Sequence, residues 1–198
     1  MSTPPFDSDL LQPYRGYLWT LAYAQLDGQL KVRLDASDIV QQTMIRAHAA
    51  LPGLRDRSPE VLVAWLRQIL ATELADAVRH CHRDKRDVDR ERSLAVDVDQ
   101  SAAGLENWLA ADQTSPSMAA EKNEHLLHLT NALLELPDDQ REVVILKHLR
   151  DQTLQQIADE TQRTVPAVAG LLRRGLARLR EILEHSENQK GAGNTCNP

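Results

Sequence analysis

The stretch TLQQIADETQRTVPAVAGLLRRGLARLREILE, residues 153–184, decides how this chain is read. Thr153 and Gln156 form a capping-box pair, in which the hydroxyl accepts a free backbone N–H and the amide reaches back. Leu154, Ile157 and Ala158 point inward from a helix over about 154–160. A helix that short is unstable alone and must pack on something. Thr164 can cap a second helix, over about 165–184. Pro166 falls in its first turn, where a missing N–H costs little. Val165, Val168, Leu172, Leu179 and Leu183 line one face at helical spacing, and Arg173, Arg174, Arg178 and Arg180 line the other.

A short helix, a tight turn and a longer helix with small residues first and arginines after has the docking geometry for a DNA major groove. The small residues let the backbone approach, and the arginines reach phosphates or guanine edges. A helical hairpin with a solvated arginine face satisfies the same periodicity.

Upstream, Pro137 separates a helix at 118–135, carrying Leu126, Leu127, Leu129, Leu133 and Leu134, from one at 138–149, carrying Val143, Val144, Leu146 and Leu149. The N-terminal half reads as three helices, at about 10–26, 36–50 and 59–83. Asp27-Gly28 and Pro52-Gly53 punctuate them. Between the halves, 88–117 is acidic and lacks periodicity, so it reads as a flexible linker with at most a short helix at Leu105–Ala111. The divisions are 8–87, a linker at 88–117, 118–185, and a disordered tail at 186–198. The fold class is all-α: two small helical domains, the second a helix-turn-helix.

Composition agrees, since aromatics make up only 4% and apolar residues 42% of the 198 residues, with Leu and Ala dominant. The net charge of −6 argues against a nucleic-acid binder. Its distribution argues the other way. Acidic residues crowd 97–124, whereas bases gather at Arg79–Arg92 and Arg173–Arg180, so the average hides two basic surfaces. Two cysteines, Cys81 and Cys196, build no disulfide framework. No leader pattern opens the chain and no apolar run approaches the ~18 residues of a membrane span, so a cytoplasmic protein is expected. Metal chemistry is not expected. His80, Cys81 and His82 are consecutive on a helix and cannot converge on one ion, and His125 and His128 find no further ligands. There is no P-loop, Ser-His-Asp set or glycine-rich nucleotide motif, so neither an enzyme nor a cofactor is expected.

On helix 36–50, Asp35, Asp38, Gln41 and Gln42 form an acidic and amide side opposite Ile39, Met44, Ile45 and Ala49. Such a stripe can dock on a basic helix, or be an ordinary solvated face. Arg79, His80 and Arg83 at the end of helix 59–83 can grip phosphates or complement the helix dipole.

Taken in order, these segments resemble the extracytoplasmic-function sigma factors of bacterial RNA polymerase. Asp35-Ala-Ser-Asp38-Ile-Val-Gln41-Gln-Thr-Met-Ile-Arg-Ala47 is similar to the family's core-polymerase-binding segment. Trp65-Leu66-x-x-Ile69, with Asp76 and Arg79, is similar to its −10 recognition helix. Leu136-Pro137…Arg141-Glu-Val-Val-x-Leu146, Gln156-Ile157-Ala158 and Val168-Ala-Gly-Leu-Leu-Arg-Arg174 are similar to its −35-binding domain. The resemblance covers about 8–184. It implies that Asp35, Asp38, Gln41 and Gln42 bind core polymerase. It implies that Ala50, Gly53, Leu54 and Thr72 receive a flipped −10 base while Arg79, His80 and Arg83 hold the backbone. It implies −35 readout by Ala169, Gly170, Arg173 and Arg174, with phosphate contacts from Arg141 and Thr153. Core RNA polymerase and promoter DNA are the implied partners, an anti-sigma factor is an inhibitor common in the family, and no membrane is involved. Thr72 stands where the family usually has Asn, Gln162 where it often has Gly, and Ala169 and Leu171 where Lys or Arg is common. Gly175 lies mid-helix, at about 1 kcal/mol against Ala. A free-standing helix-turn-helix regulator is the alternative.

Overall fold

The structure, a computed structural model, describes residues 8–26, 28–81, 88–112 and 119–193. Among these there is no strand. The helices are α1 (Ser8–Leu11), α2 (Arg15–Gln25), α3 (Gly28–Lys31), α4 (Ala36–Ala50), α5 (Pro59–Cys81), α6 (Val88–Asp112), α7 (Ala119–Leu134), α8 (Asp138–His148), α9 (Leu154–Thr161) and α10 (Val165–Gly193). Pro13 accounts for the one break inside the expected first helix, a 3-10 turn at Gln12–Tyr14 between α1 and α2.

The centre of the molecule is α2. Its Tyr17, Leu18, Leu21, Ala22 and Ala24 are buried nearly all round the axis, as expected of a helix covered on every side. Helices α4, α5 and α6 pack on it from the N-terminal half, and α7 and α8 from the C-terminal half. In α5, Leu62, Leu66, Leu70, Leu74 and Val78 recur every four residues and are all buried. One core therefore runs from Leu11 through Leu105 to Leu179. A second, smaller cluster of Val143, Leu146, Ile157, Ala158, Val168 and Leu171 holds α8, α9 and α10 together.

The expectation of a linker over 88–117 is corrected, because 88–112 is one helix, α6. Val98, Ala102 and Leu105 form its buried stripe. Ser101 is buried beside them and accepts from Gln25 Nε2 at 2.9 Å, and the Asp97 carbonyl accepts from the same nitrogen at 3.2 Å. Asp99 and Glu106 flank Arg67 of α5 at 3.4 and 3.7 Å. The acidic side chains of this segment thus partly serve a neighbouring helix. Residues 113–117 lie outside the described residues. The tail expected from 186 is also corrected, since α10 continues to Gly193. Ser186 Oγ bonds His128 on α7 and donates to the Leu183 carbonyl, which anchors the extension.

Where α6 meets α8, the Trp108 ring stacks on His148 with centroids 4.2 Å apart. Burial, and secondarily Lys147, holds the His148 pKa below its ordinary 6.5. As pH falls through 6.5 the unfolded chain takes up this proton while the folded chain does not. Stability is then lost on acidification below 6.5, down to the depressed folded value. His148→Phe keeps a ring on Trp108 and is expected to flatten that part of the profile. Urea midpoints of both proteins at about pH 7.5 and 5.5 check this, and parallel profiles would contradict it.

Candidate nucleic-acid and polymerase interfaces

The helix-turn-helix is built as its sequence suggests. The Gln156 N–H donates to Thr153 Oγ1 at 3.3 Å, and the Thr153 N–H donates to Gln156 Oε1 at 2.8 Å, closing the capping box. Gln162 ends α9 in the left-handed region at φ 55°, which explains why glycine is common at this position. Arg163 ties the turn to Asp139 of α8 at 2.7 Å. On the other side, Gln152 Nε2 and Arg150 both reach Glu160, at 2.7 and 3.3 Å. Because the Thr153 hydroxyl serves the cap, Thr153→Ala is expected to lower stability by about 1 kcal/mol. Urea unfolding measures that loss, and an unchanged midpoint would deny the cap its role.

The open face of α10 carries Thr164, Pro166 and Ala167, then the half-buried Ala169 and Gly170, then exposed Arg173 and Arg174. The Arg174 guanidinium lies back over Gly170, 3.4 Å from where a Cβ there would sit. Arg178 is paired with Glu181 at 3.0 Å. Arg173 and Arg174 thus stand together on the surface that Ala169 and Gly170 leave low.

Arg141 does not join them. Its Nη1 donates to the Leu134 and Leu136 carbonyls at 3.1 and 3.3 Å, its Nη2 bonds Asp138, and only 15% of its side chain is exposed. In this conformation it closes the end of α7 rather than facing solvent.

On α4, the Asp35 carboxylate caps the helix by accepting the Ser37 N–H at 2.8 Å. Asp38, Gln41 and Gln42 are exposed together, opposite buried Ala36, Ile39, Val40, Thr43, Met44 and Ala47. Ile45 and Ala49 were expected inward and are not. Ile45 is 55% exposed and shares the stripe of Asp38, Gln41 and Gln42. The spacing carried the signal: 38, 42, 45 and 49 fall on one side of a 3.6-residue helix. A groove of about 470 Å³ borders the start of α4, lined by Trp19, Tyr23, Lys31, Leu34 and Asp35, with Val32 beside it 84% exposed.

The −10 candidates lie where α4 hands over to α5. Ala50 ends α4, and Gly53 lies in the 3-10 turn Leu51–Gly53 with open space where a Cβ would be. Leu54 packs back on the core. Thr72 donates its hydroxyl to the Gln68 carbonyl within α5 at 3.0 Å. Arg46, one turn before Ala50, pairs with Glu73, next to Thr72, at 2.6 Å, so the two segments are tied. Arg79 pairs with Asp76, and His80 is exposed beside it. Arg83 lies outside the described residues. Also among the described residues, no group of three His, Cys, Asp or Glu converges as a metal site, and no helix is long and apolar enough to cross a membrane.

Fold and site define an all-helical protein whose C-terminal half is a helix-turn-helix of the sigma-70 kind, and residues 126–179 match the family "Sigma-70, region 4". The chain is 32% identical over 149 residues to the ECF RNA polymerase sigma factor SigD of Mycobacterium tuberculosis (strain ATCC 25618 / H37Rv), across 75% of this chain and 63% of that protein. It is 27% identical over 183 residues to the ECF RNA polymerase sigma factor SigW of Bacillus subtilis (strain 168), across 89% of this chain and 88% of that protein. To SigG of Mycobacterium tuberculosis (strain ATCC 25618 / H37Rv) it is 27% identical over 179 residues, 86% of this chain and 47% of that protein. The chain thus carries a sigma-70 region 4 and is similar over most of its length to extracytoplasmic-function sigma factors. It spans under two thirds of the length of SigD, at 63%.

Proposed function

We propose that this chain is an alternative sigma factor, which binds core RNA polymerase, directs it to promoters with −10 and −35 elements and aids strand opening. The observation that carries this is the pairing of two open faces on one frame. One is the acidic and amide stripe Asp38, Gln41 and Gln42, which continues into the exposed Ile45. The other is the Arg173–Arg174 face of the helix-turn-helix. A mixed polar stripe around an exposed aliphatic side chain suits a basic helical partner. Small residues followed by arginines suit a major groove.

In this reading residues 8–87 hold polymerase and the −10 element, and 118–185 hold the −35 element. Ala50, Gly53, Leu54 and Thr72 form the base-capture segment. Thr72 has its hydroxyl turned to the Gln68 carbonyl, so it offers a captured base less than an Asn would. The chain lends sequence choice to an enzyme and works in the cytoplasm, where its polymerase is. An anti-sigma factor acting on it would cover either open face.

The test is gel filtration of the full chain with sigma-free core polymerase. Co-elution is expected. A chain that stays apart from core yet shifts duplex DNA alone, with the steep salt dependence of phosphate contacts, is a free-standing regulator instead.

A further inference from the structure

The open face of α10 has two chemically different ends. Pro166, Gly170, Arg173 and Ala177 follow one another at steps of four, three and four residues, so they share one strip of the helix. Ala167 and Ala169 flank that strip. Pro166, Ala167, Arg173 and Ala177 are exposed, and Ala169 and Gly170 are half-buried. Val168 and Leu171 point the other way, into the cluster that joins α8, α9 and α10. The arginines supply the polar part of the face from Gly170 onward, since Arg174 lies back over Gly170. Ahead of them the first turn presents only a proline ring and alanine methyl groups.

The backbone and the neighbouring side chains add little polarity there. Pro166 has no N–H. The Ala167 N–H donates to Thr164 Oγ1 at 3.4 Å, and the Val168 N–H donates to the Thr164 carbonyl at 3.0 Å. On α9, Gln155 Nε2 donates to Asp159 at 2.9 Å, while Gln156 closes the capping box with Thr153. Arg163, in the turn, is held by Asp139. A surface of this kind has no hydrogen bond to give a base edge. In the major groove, one base feature is itself apolar, the C5-methyl group of thymine. Cytosine in its place presents a bare C5–H and an N4 amino group, and these methyls would leave that donor without a partner.

We propose that the first turn of α10 selects an A·T pair by packing Pro166, Ala167 and Ala169 on the thymine 5-methyl group, while Arg173 and Arg174 hold the DNA on the C-terminal side of that contact. Base choice at this position is made by a methyl group and not by a hydrogen bond. Ala169 keeps the flank low, where a lysine or arginine would lie across the strip. This selection rests on the major-groove role proposed above.

The test uses the full chain with sigma-free core polymerase to select duplexes from a randomised pool. The enriched element is remade with deoxyuridine in place of one thymidine at a time, which removes the methyl group and keeps every hydrogen-bonding atom. At one position or two neighbouring ones, deoxyuridine is expected to weaken binding about four-fold, the value of burying one methyl group. Ala167→Gly combined with Ala169→Gly withdraws the protein's methyls and is expected to bring the thymidine and deoxyuridine duplexes close to equal affinity. The ratio is taken within one protein, so a general loss of stability cancels. Ala167→Ser combined with Ala169→Ser, milder for the helix, is expected to shrink the same ratio. Equal binding of the two duplexes at every position by the wild type overturns the methyl contact. So does an enriched element without an A·T pair, or a deoxyuridine penalty that persists in both variants. An element enriched by the chain without core contradicts the sigma reading, while its deoxyuridine ratio still decides the methyl contact. No enriched element with or without core contradicts both.

Discussion

Gly175→Val is expected to destabilise the protein by about 2–3 kcal/mol, and even Gly175→Ala is expected to lose stability rather than gain it. At an open helical position, replacing Gly by Ala gains about 1 kcal/mol in propensity. Here a Cβ would stand 2.9 Å from Val144 Cγ2, 3.3 Å from Gln140 Cβ and 3.4 Å from the Gln140 carbonyl. Val144 is fully buried and the carbonyl belongs to α8, so neither can step aside. The residue that looks like a propensity defect in the sequence is a point of close approach between α8 and α10. Val144→Ala combined with Gly175→Ala makes room and is expected to recover part of the loss, a coupling that a double-mutant cycle in urea resolves. A Gly175→Val protein as stable as wild type would mean that the two helices are not packed this way.

Asp38→Arg is expected to weaken binding to core polymerase about 100-fold or more, an interface penalty of roughly 3 kcal/mol. Asp38 is exposed on the stripe that α4 leaves open. An arginine there turns attraction for a basic partner into repulsion. The fold should bear it with a smaller change, because the side chain is outside the core and only a favourable first-turn charge is lost, about 0.3–1 kcal/mol. Titration of labelled protein with sigma-free core, beside a thermal melt, separates the two effects. Equal affinity of the variant and the wild type would remove α4 from the docking surface.

The sequence revealed most of this architecture where apolar periodicity is strong and caps are explicit. Helix α4 lies at 36–50 as read, and the structure adds that Asp35, placed from the sequence only on its polar side, is its cap. The helix-turn-helix carries its box at Thr153 and Gln156. It revealed least where burial rests on few or small side chains. Helix α6 buries Val98, Ser101, Ala102 and Leu105 inside an acidic segment, and such a stripe hardly raises the periodic signal above its charged surroundings. Ile45 was misplaced because an aliphatic residue is taken as inward by default. Its phase relative to Asp38 and Gln42 puts it outside, and exposed aliphatic residues are common enough that type alone should not decide. Arg141 illustrates a different limit. Motif position assigned it a phosphate, but no local pattern encodes the Trp19 ring that lies 4.8 Å from its guanidinium and 122 residues earlier in the chain.

The most direct measurement of the central claim is multi-template transcription by sigma-free core polymerase supplied with this chain, on pooled upstream fragments from the genome that encodes it, with mapped RNA 5′ ends. Transcripts that depend on the added chain, start at discrete positions and share two upstream sequence elements are the expected result. Transcription no different from core alone, from a chain shown to be folded, would contradict it.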